Sequence, residues 1–289
     1  MVDLSIIIVS YNTKEITKRC LDSLLHALKL CQKTTYEIIV VDNNSSDGSQ
    51  EMIQTYPVKP LFLSKNIGFG RANNKGLAHA KGKFTLYLNS DVIHNNVNYD
   101  ELLAYMANDK NIGSLTVKVN LTPDTIDPAS HRGFPTLWRT FTYYSKLEQL
   151  TASVPYINSI FGGYHLMGKD LNEVHEVDAI SGAYFLARTK MLQRLGGFDE
   201  DFFMYGEDLD LNYRIKEAGY KNIYYPKYDV THLKYQSGIK TQNEVISKEI
   251  KRHFYHSMKI FYQKHYQSQY PRFINSIVYS IIDTIMKRI

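Results

Sequence analysis

Three acids and a histidine mark where this chain can do chemistry. Asp91 ends the run Leu86-Tyr-Leu-Asn-Ser-Asp91. A carboxylate at the mouth of a buried strand can hold a divalent cation against a diphosphate. Asp is equally suited to capping a helix. Glu207 and Asp208 open a helical stretch. Acids there are favoured by the helix dipole and are usually structural. The preceding Gly196-Gly-Phe-Asp-Glu-Asp-Phe-Phe-Met-Tyr-Gly206 is unusually aromatic and glycine-rich for a cap alone. His232 ends a later apolar run. With Asp91 it makes an oxygen/nitrogen pair suited to Mn2+ or Mg2+, although a solitary histidine is commonly just a satisfied polar residue. Sequence spacing does not bring the two together.

Such residues need elements that aim them. Residues 4–9 are a short, β-branched apolar run, as in a strand buried on both faces. Residues 16–30 follow with helical spacing at Ile16, Cys20, Leu24 and Leu28. Residues 37–41 read as a second strand ending at Asp42, 43–49 as a polar turn, and a helix starts near Asp47. Residues 60–63 are a third strand, 71–80 a helix, and 83–88 a fourth strand. This rhythm predicts βαβ units and a mostly parallel sheet flanked by helices, an α/β, Rossmann-like fold. Ligands in such sheets bind past the carboxyl ends of the strands. Polar clusters stand at three of those ends: Ser10-Tyr11-Asn12, Asp42-Asn43-Asn44 and Asn89-Ser90-Asp91. Exposure alone makes strand ends polar, but three successive clusters point to a site.

Composition narrows the class. The chain has 289 residues, 44% hydrophobic and 22% charged, enough for a real core. The net charge of +5 is too mild to name nucleic acid as a partner. The charge is uneven: residues 233–289 hold ten Lys/Arg against three acids, net +7, leaving −2 for the first 232. A basic tail on a near-neutral body favours an anionic surface. Cys20 and Cys31 are too few for a disulfide framework and read as reduced thiols. The apolar start lacks a basic lead and does not read as a signal peptide. No run reaches the roughly 18 apolar residues of a membrane span. The expectation is a cytoplasmic protein, soluble or peripheral on the inner face of the cell membrane. The segment Gly68-Phe-Gly-Arg-Ala-Asn-Asn74 fails the dinucleotide fingerprint, because position 73 is Asn and it follows the third strand. Walker A spacing is absent.

The middle, 122–175, has no clear period and reads as a long loop or lid. Order returns at 176–180 and 181–186, then a turn at Gly196-Gly-Phe-Asp199 and a helix over 207–218 closed by Gly219. Short strands follow at 223–225 and 228–231, then a long basic helix at 243–266. The last piece, 271–289, is amphipathic. Phe273, Ile277, Ile281 and Ile285 form one row, and Ile274, Val278, Ile282 and Met286 the next. Two readings stand side by side: a helix docked on the body or on a second subunit, and a basic amphipathic helix at a membrane surface.

Taken together, these segments resemble glycosyltransferase family 2, the inverting GT-A enzymes, and among them the bacterial rhamnosyltransferase-like members. The carriers are Leu4-Ser-Ile-Ile-Ile-Val-Ser-Tyr-Asn-Thr13, Val40-Val-Asp-Asn-Asn-Ser-Ser-Asp-Gly48, Asn66-Ile-Gly-Phe-Gly-Arg-Ala-Asn-Asn-Lys-Gly76, Leu86-Tyr-Leu-Asn-Ser-Asp91, Ser181-Gly-Ala183, and Gly197-Phe-Asp-Glu-Asp-Phe-Phe-Met-Tyr-Gly-Glu-Asp-Leu-Asp-Leu211, closed by His232. They run in family order over about residues 4–236. The resemblance implies a GT-A domain over 1–236, with a nucleotide-binding half to about 120 and an acceptor-binding half beyond. A basic amphipathic helical extension then covers 237–289.

By the same resemblance, Ser10, Tyr11 and Asn12 line the nucleotide pocket, Asp42 binds the base or ribose, and Arg71 and Asn74 lie against the nucleotide. Asn89, Ser90 and Asp91 occupy the Asp-x-Asp position. Asp91 is then the metal ligand and His232 a second one. Asn89 replaces the first acid, which removes one charge from the metal site. Ser181, Gly182 and Ala183 pass near the donor sugar. Asp208 is the catalytic base, and Glu207 holds the acceptor or the base. The implied enzyme is a hexosyltransferase moving rhamnose or a similar sugar from a dTDP- or UDP-sugar, with Mn2+ or Mg2+. The acceptor is a lipid-linked or growing surface polysaccharide of the cell envelope. From its residue pattern, the final helix meets a membrane surface, the body of the protein or a second copy in a homodimer. A non-catalytic sugar-nucleotide-binding or scaffold subunit is the rival from another class. A nucleotidyltransferase is a third, but Ser10-Tyr-Asn-Thr-Lys14 is not the glycine- and basic-rich loop it would want.

Overall fold

The computed structural model describes residues 2–234 and 244–289. Ten strands lie among the described residues: β1 Leu4–Ser10, β2 Tyr36–Asp42, β3 Lys59–Phe62, β4 Phe84–Asn89, β5 Val92–His94, β6 Ile112–Thr122, β7 Thr125–Ile126, β8 His175–Val177, β9 Tyr184–Arg188 and β10 Lys221–His232. They form one sheet in the order β3-β2-β1-β4-β9-β6-β10-β5, with β7 on β6 and β8 on β10. β1 pairs in parallel with β2 and β4, β2 with β3, and β6 with β10. β9 runs antiparallel between β4 and β6, and β5 is antiparallel to β10. Six of the eight strands on this path therefore point the same way, as the α/β reading expects.

The central strands are apolar without alternation because helices cover both sheet faces. Ile6, Ile8, Val40 and Leu86 enter one core, shared with Leu21 and Leu24 of helix Lys14–Lys29 and Leu102 and Met106 of helix Tyr99–Asn108. Ile7, Ile39, Val41 and Tyr87 enter the other, shared with Ala72 and Leu77 of helix Phe69–Leu77 and Leu211 and Ile215 of helix Glu207–Glu217. Each such side chain contributes roughly 1.5–3 kcal/mol on burial. A third, aromatic core of Phe202, Phe261, Tyr262 and Tyr266 joins helix Glu244–His265 to the loop before Glu207.

Two sequence expectations are corrected. The 122–175 segment is not a long loop: it holds short helices Leu137–Tyr144, Leu147–Leu150 and Pro155–Phe161. Each spans at most about two turns, too few residues for a 3.6-residue period to register. The two short strands before His232 are one, β10, with irregular pairing to β6 between Tyr225 and Asp229. Pro226 lies in that irregularity, where a missing N–H breaks no ladder. β6 crosses residue 120, so the sheet is continuous through both proposed halves. The expected domain boundary at 236/237 and the helix start at Asn243 lie outside the described residues.

Helix Arg272–Lys287 docks along Glu244–His265. Tyr262 donates its hydroxyl to Asn275 at 2.6 Å, Lys259 pairs with Asp283 at 2.8 Å, and Ile282 is buried. The other row, Phe273, Ile277 and Ile281, stays more than half exposed. No helix among the described residues is long and apolar enough to cross a membrane.

Candidate active site

The parallel strands β1, β2 and β4 deliver their last residues to one edge. Ser10 is buried beside the Thr17 hydroxyl at 3.1 Å, while Tyr11 is exposed. Asn12 takes a positive φ of 51° and accepts the Ser46 N–H at 2.8 Å, closing the turn after β1 onto the turn after β2. Asp42 is buried and accepts from the Ser45 N–H and from Gln50 Nε2 through Oδ1. Among the described residues its Oδ2 has no partner, and neither has the buried Oδ1 of Asn89. Buried oxygens without a donor are rare in folded proteins and mark a ligand position or an ordered water.

A three-residue bridge then links this edge to the acids. The Asn89 N–H donates to Ala183 O at 3.0 Å. One residue earlier, the Gly182 N–H donates to Asp208 Oδ2 at 3.2 Å. Ser181 Oγ accepts the Ala183 N–H, which fixes the turn. The Asp-x-Asp position, residues 181–183 and Asp208 are thus one connected unit.

Glu207 and Asp208 occupy the first turn of their helix, after Gly206 at φ +82°. Asn212 anchors this turn, donating to Ile180 O and Asp208 O. Asp210 ties it to the C-terminal helices through His265 at 2.8 Å. Arg132 donates from Nη2 to Asp208 Oδ2 at 3.0 Å. Burial opposes the Arg132 charge, but the Asp208 carboxylate beside it holds its pKa above the usual value. Glu207 is buried with Oε2 unpartnered. Burial, then the adjacent Asp208, pushes its carboxyl up to about 8. The pair is therefore split: Glu207 keeps its proton at neutral pH, and Asp208 sits against a guanidinium.

His232, at the end of β10, stands opposite Val92 and brings Nε2 to 3.2 Å from Asp91 Oδ1. Its Nδ1 lies 3.2 Å from Asp127 Oδ2, and Lys234 Nζ is 3.0 Å from Asp127 Oδ1. Burial alone would lower the His232 pKa, but Asp127 and Asp91 on either side hold it up to about 9. The described residues hold no cluster of three or more His, Cys, Asp or Glu arranged for a metal. Asp91 and His232 form an ion pair here, with a proton on each ring nitrogen, so His232 could serve a cation beside Asp91 only after giving up its Nε2 proton. A carboxylate behind the histidine is the usual support for such a ligand.

Arg71 and Asn74, set against the nucleotide by the resemblance, bond the backbone of the 198–203 loop in the fold. Asn74 donates to Phe198 O at 2.7 Å and accepts the Phe198 N–H at 2.9 Å. Arg71 donates to Glu200 O. At Gly68, φ +88°, a Cβ would lie 2.7 Å from Phe203 O, so only glycine lets the two loops approach. Both side chains brace the 198–203 loop. Sequence reasoning missed Arg132 and Asp127. Both lie in the segment without period, and nothing but a charged residue beside a glycine or proline hints at them.

Solved structures define the fold. The chain superposes on GalNAc-T7 with UDP, GalNAc and Mn2+ at TM-score 0.58, 18% identity, over 80% of this chain and 44% of that one. It superposes on S. aureus TarS 1-349 with UDP at 0.55, 19% identity, over 89% and 65%. It spans less than two thirds of each of these solved chains. The fold is that of GT-A glycosyltransferases. The family model "Glycosyl transferase family 2" matches residues 5–166, and "Glycosyl transferase family group 2" matches 137–271. The chain belongs to glycosyl transferase family 2 and is a glycosyltransferase of the bacterial rhamnosyltransferase-like kind. It is 28% identical over 230 residues to the N-acetylglucosaminyl-diphospho-decaprenol L-rhamnosyltransferase of Mycobacterium tuberculosis, covering 75% of this chain and 73% of that one. It is 29% identical over 237 residues to rhamnosyltransferase WbbL of Escherichia coli K12, covering 78% and 82%.

Proposed function

We propose that this protein transfers rhamnose or a similar sugar, with inversion, from a dTDP- or UDP-sugar to a hydroxyl of a lipid-linked or growing polysaccharide. The observation that carries the reading is the pair of buried oxygens without a partner among the described residues, Asp42 Oδ2 and Asn89 Oδ1, at the ends of the two strands that flank β1, with Asn89 joined through residues 181–183 to Asp208. Ser10, Tyr11, Asn12 and Asp42 bind the nucleoside, and Asn89, Ser90 and residues 181–183 border the diphosphate and sugar. Arg71 and Asn74 act on the donor through the loop they brace. Asp208 takes the proton from the acceptor hydroxyl as that oxygen bonds to the anomeric carbon. The bond from that carbon to the diphosphate breaks on the opposite face, and the nucleoside diphosphate leaves. Glu207, protonated, donates a hydrogen bond, and Arg132 with the Gly182 N–H fixes the base. Asp91 and His232 would hold a Mn2+ or Mg2+ ion, which when bound offsets the charge of the leaving diphosphate.

A residue-level test separates binding from chemistry. Asp208→Asn keeps the nucleotide-induced thermal shift with dTDP or UDP and loses transfer. Normal turnover by this variant would sink the base assignment. The exposed Phe273, Ile277 and Ile281 row with its basic flanks supports peripheral work on the cytoplasmic membrane face. Changing all three to Ser abolishes pelleting with anionic vesicles if this is right. An unchanged pellet with a dimer-to-monomer change in mass would make the row a homodimer seam instead.

A further inference from the structure

The first half of helix Glu244–His265 and the end of helix Arg272–Lys287 enclose a groove of about 490 Å3. Ile250, Phe254, Ile285 and Ile289 wall it, and Lys251 and Arg288 stand at it as cations. Neither cation forms an ion pair among the described residues, whereas Lys259 and Lys264 of the same helix are paired with Asp283 and with Asp199 and Asp201. An apolar trench flanked by two cations without an ion pair among the described residues complements a long hydrocarbon carrying a phosphate.

One wall of the groove, Phe254, touches the loop that leads into Glu207. Phe254 meets Tyr205 edge to face, with ring centroids 6.2 Å apart, and the neighbouring His253 stacks on Phe203 at 5.0 Å. Tyr205 and Gly206 lead straight into Glu207 and Asp208. The strand ends given above to the nucleotide belong to β1, β2 and β4, separate elements from these two helices. The Lys251 and Arg288 charges are therefore not needed for the donor diphosphate.

We propose that this groove seats the isoprenoid chain and phosphate of the lipid-linked acceptor. The chain lies along Ile250, Phe254, Ile285 and Ile289. Lys251 and Arg288 hold the phosphate, and the glycan passes over Phe254 and Tyr205 to Asp208. The assignment rests on the transferase reading and adds to it where the lipid goes.

The test is direct binding of farnesyl diphosphate to the full chain by calorimetry, with inorganic diphosphate and farnesol as separate arms. Both chain and phosphate contribute, so farnesyl diphosphate binds at least tenfold more tightly than either fragment. The double reversal Lys251→Glu with Arg288→Glu, and separately Ile285→Asn, each weaken it at least tenfold. These side chains are exposed or half-exposed, and the thermal shift with UDP or dTDP checks that each variant is folded. Farnesyl diphosphate binding no better than inorganic diphosphate overturns the proposal. So does unchanged binding in both variants. Loss of pelleting with phosphatidylglycerol vesicles while farnesyl diphosphate binding persists also overturns it, and assigns the groove to the bilayer surface. Absence of sugar transfer from every nucleotide sugar tried would count against the transferase reading, and the calorimetry would still decide the groove.

Discussion

Replacing Glu207 by Gln should make the protein more stable, and more so as pH rises. Glu207 is 7% exposed, its Oε2 has no partner, and Asp208 is its neighbour. Its carboxyl is pushed up to about 8 from an ordinary 4.5. The native state therefore keeps a proton that the unfolded chain gives up between those two values. Wherever the native state binds more protons, stability falls as pH rises. The full slope for one group is about 1.4 kcal/mol per pH unit. Between pH 5 and 8 that would approach about 4 kcal/mol. The nearby Arg132 charge and local relaxation reduce it, and about 2 kcal/mol is the expected loss in the wild type. Gln has nearly the same shape and no charge, so it escapes that loss. Glu207→Gln should match the wild type within about 1 kcal/mol at pH 5 and exceed it by about 2 kcal/mol at pH 8. At about 2–4 °C per kcal/mol, its thermal midpoint at pH 8 rises by roughly 4–8 °C. Circular dichroism melts and urea titrations at pH 5, 6.5 and 8 measure this. A constant difference across the three pH values, or a variant less stable at pH 8, would refute the protonated Glu207.

Three further outcomes follow from the same coordinates. Asp127 is fully buried and accepts from His232, Lys234 and the Ala129 N–H, so Asp127→Asn should cost about 3 kcal/mol in urea denaturation, because Lys234 loses its anion and His232 keeps only Asp91; a loss below about 1 kcal/mol would show them re-solvated. A Cβ on Gly76 would lie 2.4 Å from Ile7 Cγ2, so Gly76→Ala should lose about 1–3 kcal/mol by overpacking helix against sheet; an unchanged midpoint would mean that β1 yields there. Burial pushes the Cys20 thiol far above its usual range and the half-buried Cys31 thiol less so, so a chromogenic disulfide reagent at pH 8 should titrate Cys31 slowly and Cys20 only after denaturant; two fast thiols would contradict the packing of helix Lys14–Lys29.

The sequence made the first ninety or so residues readable because local and global signals agree there. Residues 4–9, 37–41 and 83–88 are apolar throughout, since helices cover both faces of the sheet. Their ends turn polar where the site lies, and β1, β2 and β4 appear within a residue or two of the reading. The strands β5 and β6 and helix Tyr99–Asn108 received no reading. The rest depends on contacts that sequence order hides. Arg132 reaches Asp208 across 76 residues, and His232 reaches Asp127 across 105. Neither shows a period or a fixed spacing. Arg71 and Asn74 were legible as polar residues on a helix start, but their partners, the backbone of residues 198 and 200, appear only once the chain is folded.

The stitching of helix Phe69–Leu77 to the 198–203 loop has a consequence for engineering and for divergence. A carboxamide presents a donor and an acceptor side by side, as a peptide group does, so Asn74 serves Phe198 as a single rung of sheet would. The Phe69 N–H adds a bond to Phe203 O, and Gly68 leaves no room for anything larger. The loop that leads into Glu207 is therefore hung from helix Phe69–Leu77. A 66–76 segment grafted from a relative would arrive without its matching 198–203 backbone and would displace Glu207 and Asp208. Exchange of sugar preference between relatives should require the two loops to travel as one cassette, although more than a hundred residues separate them in the chain.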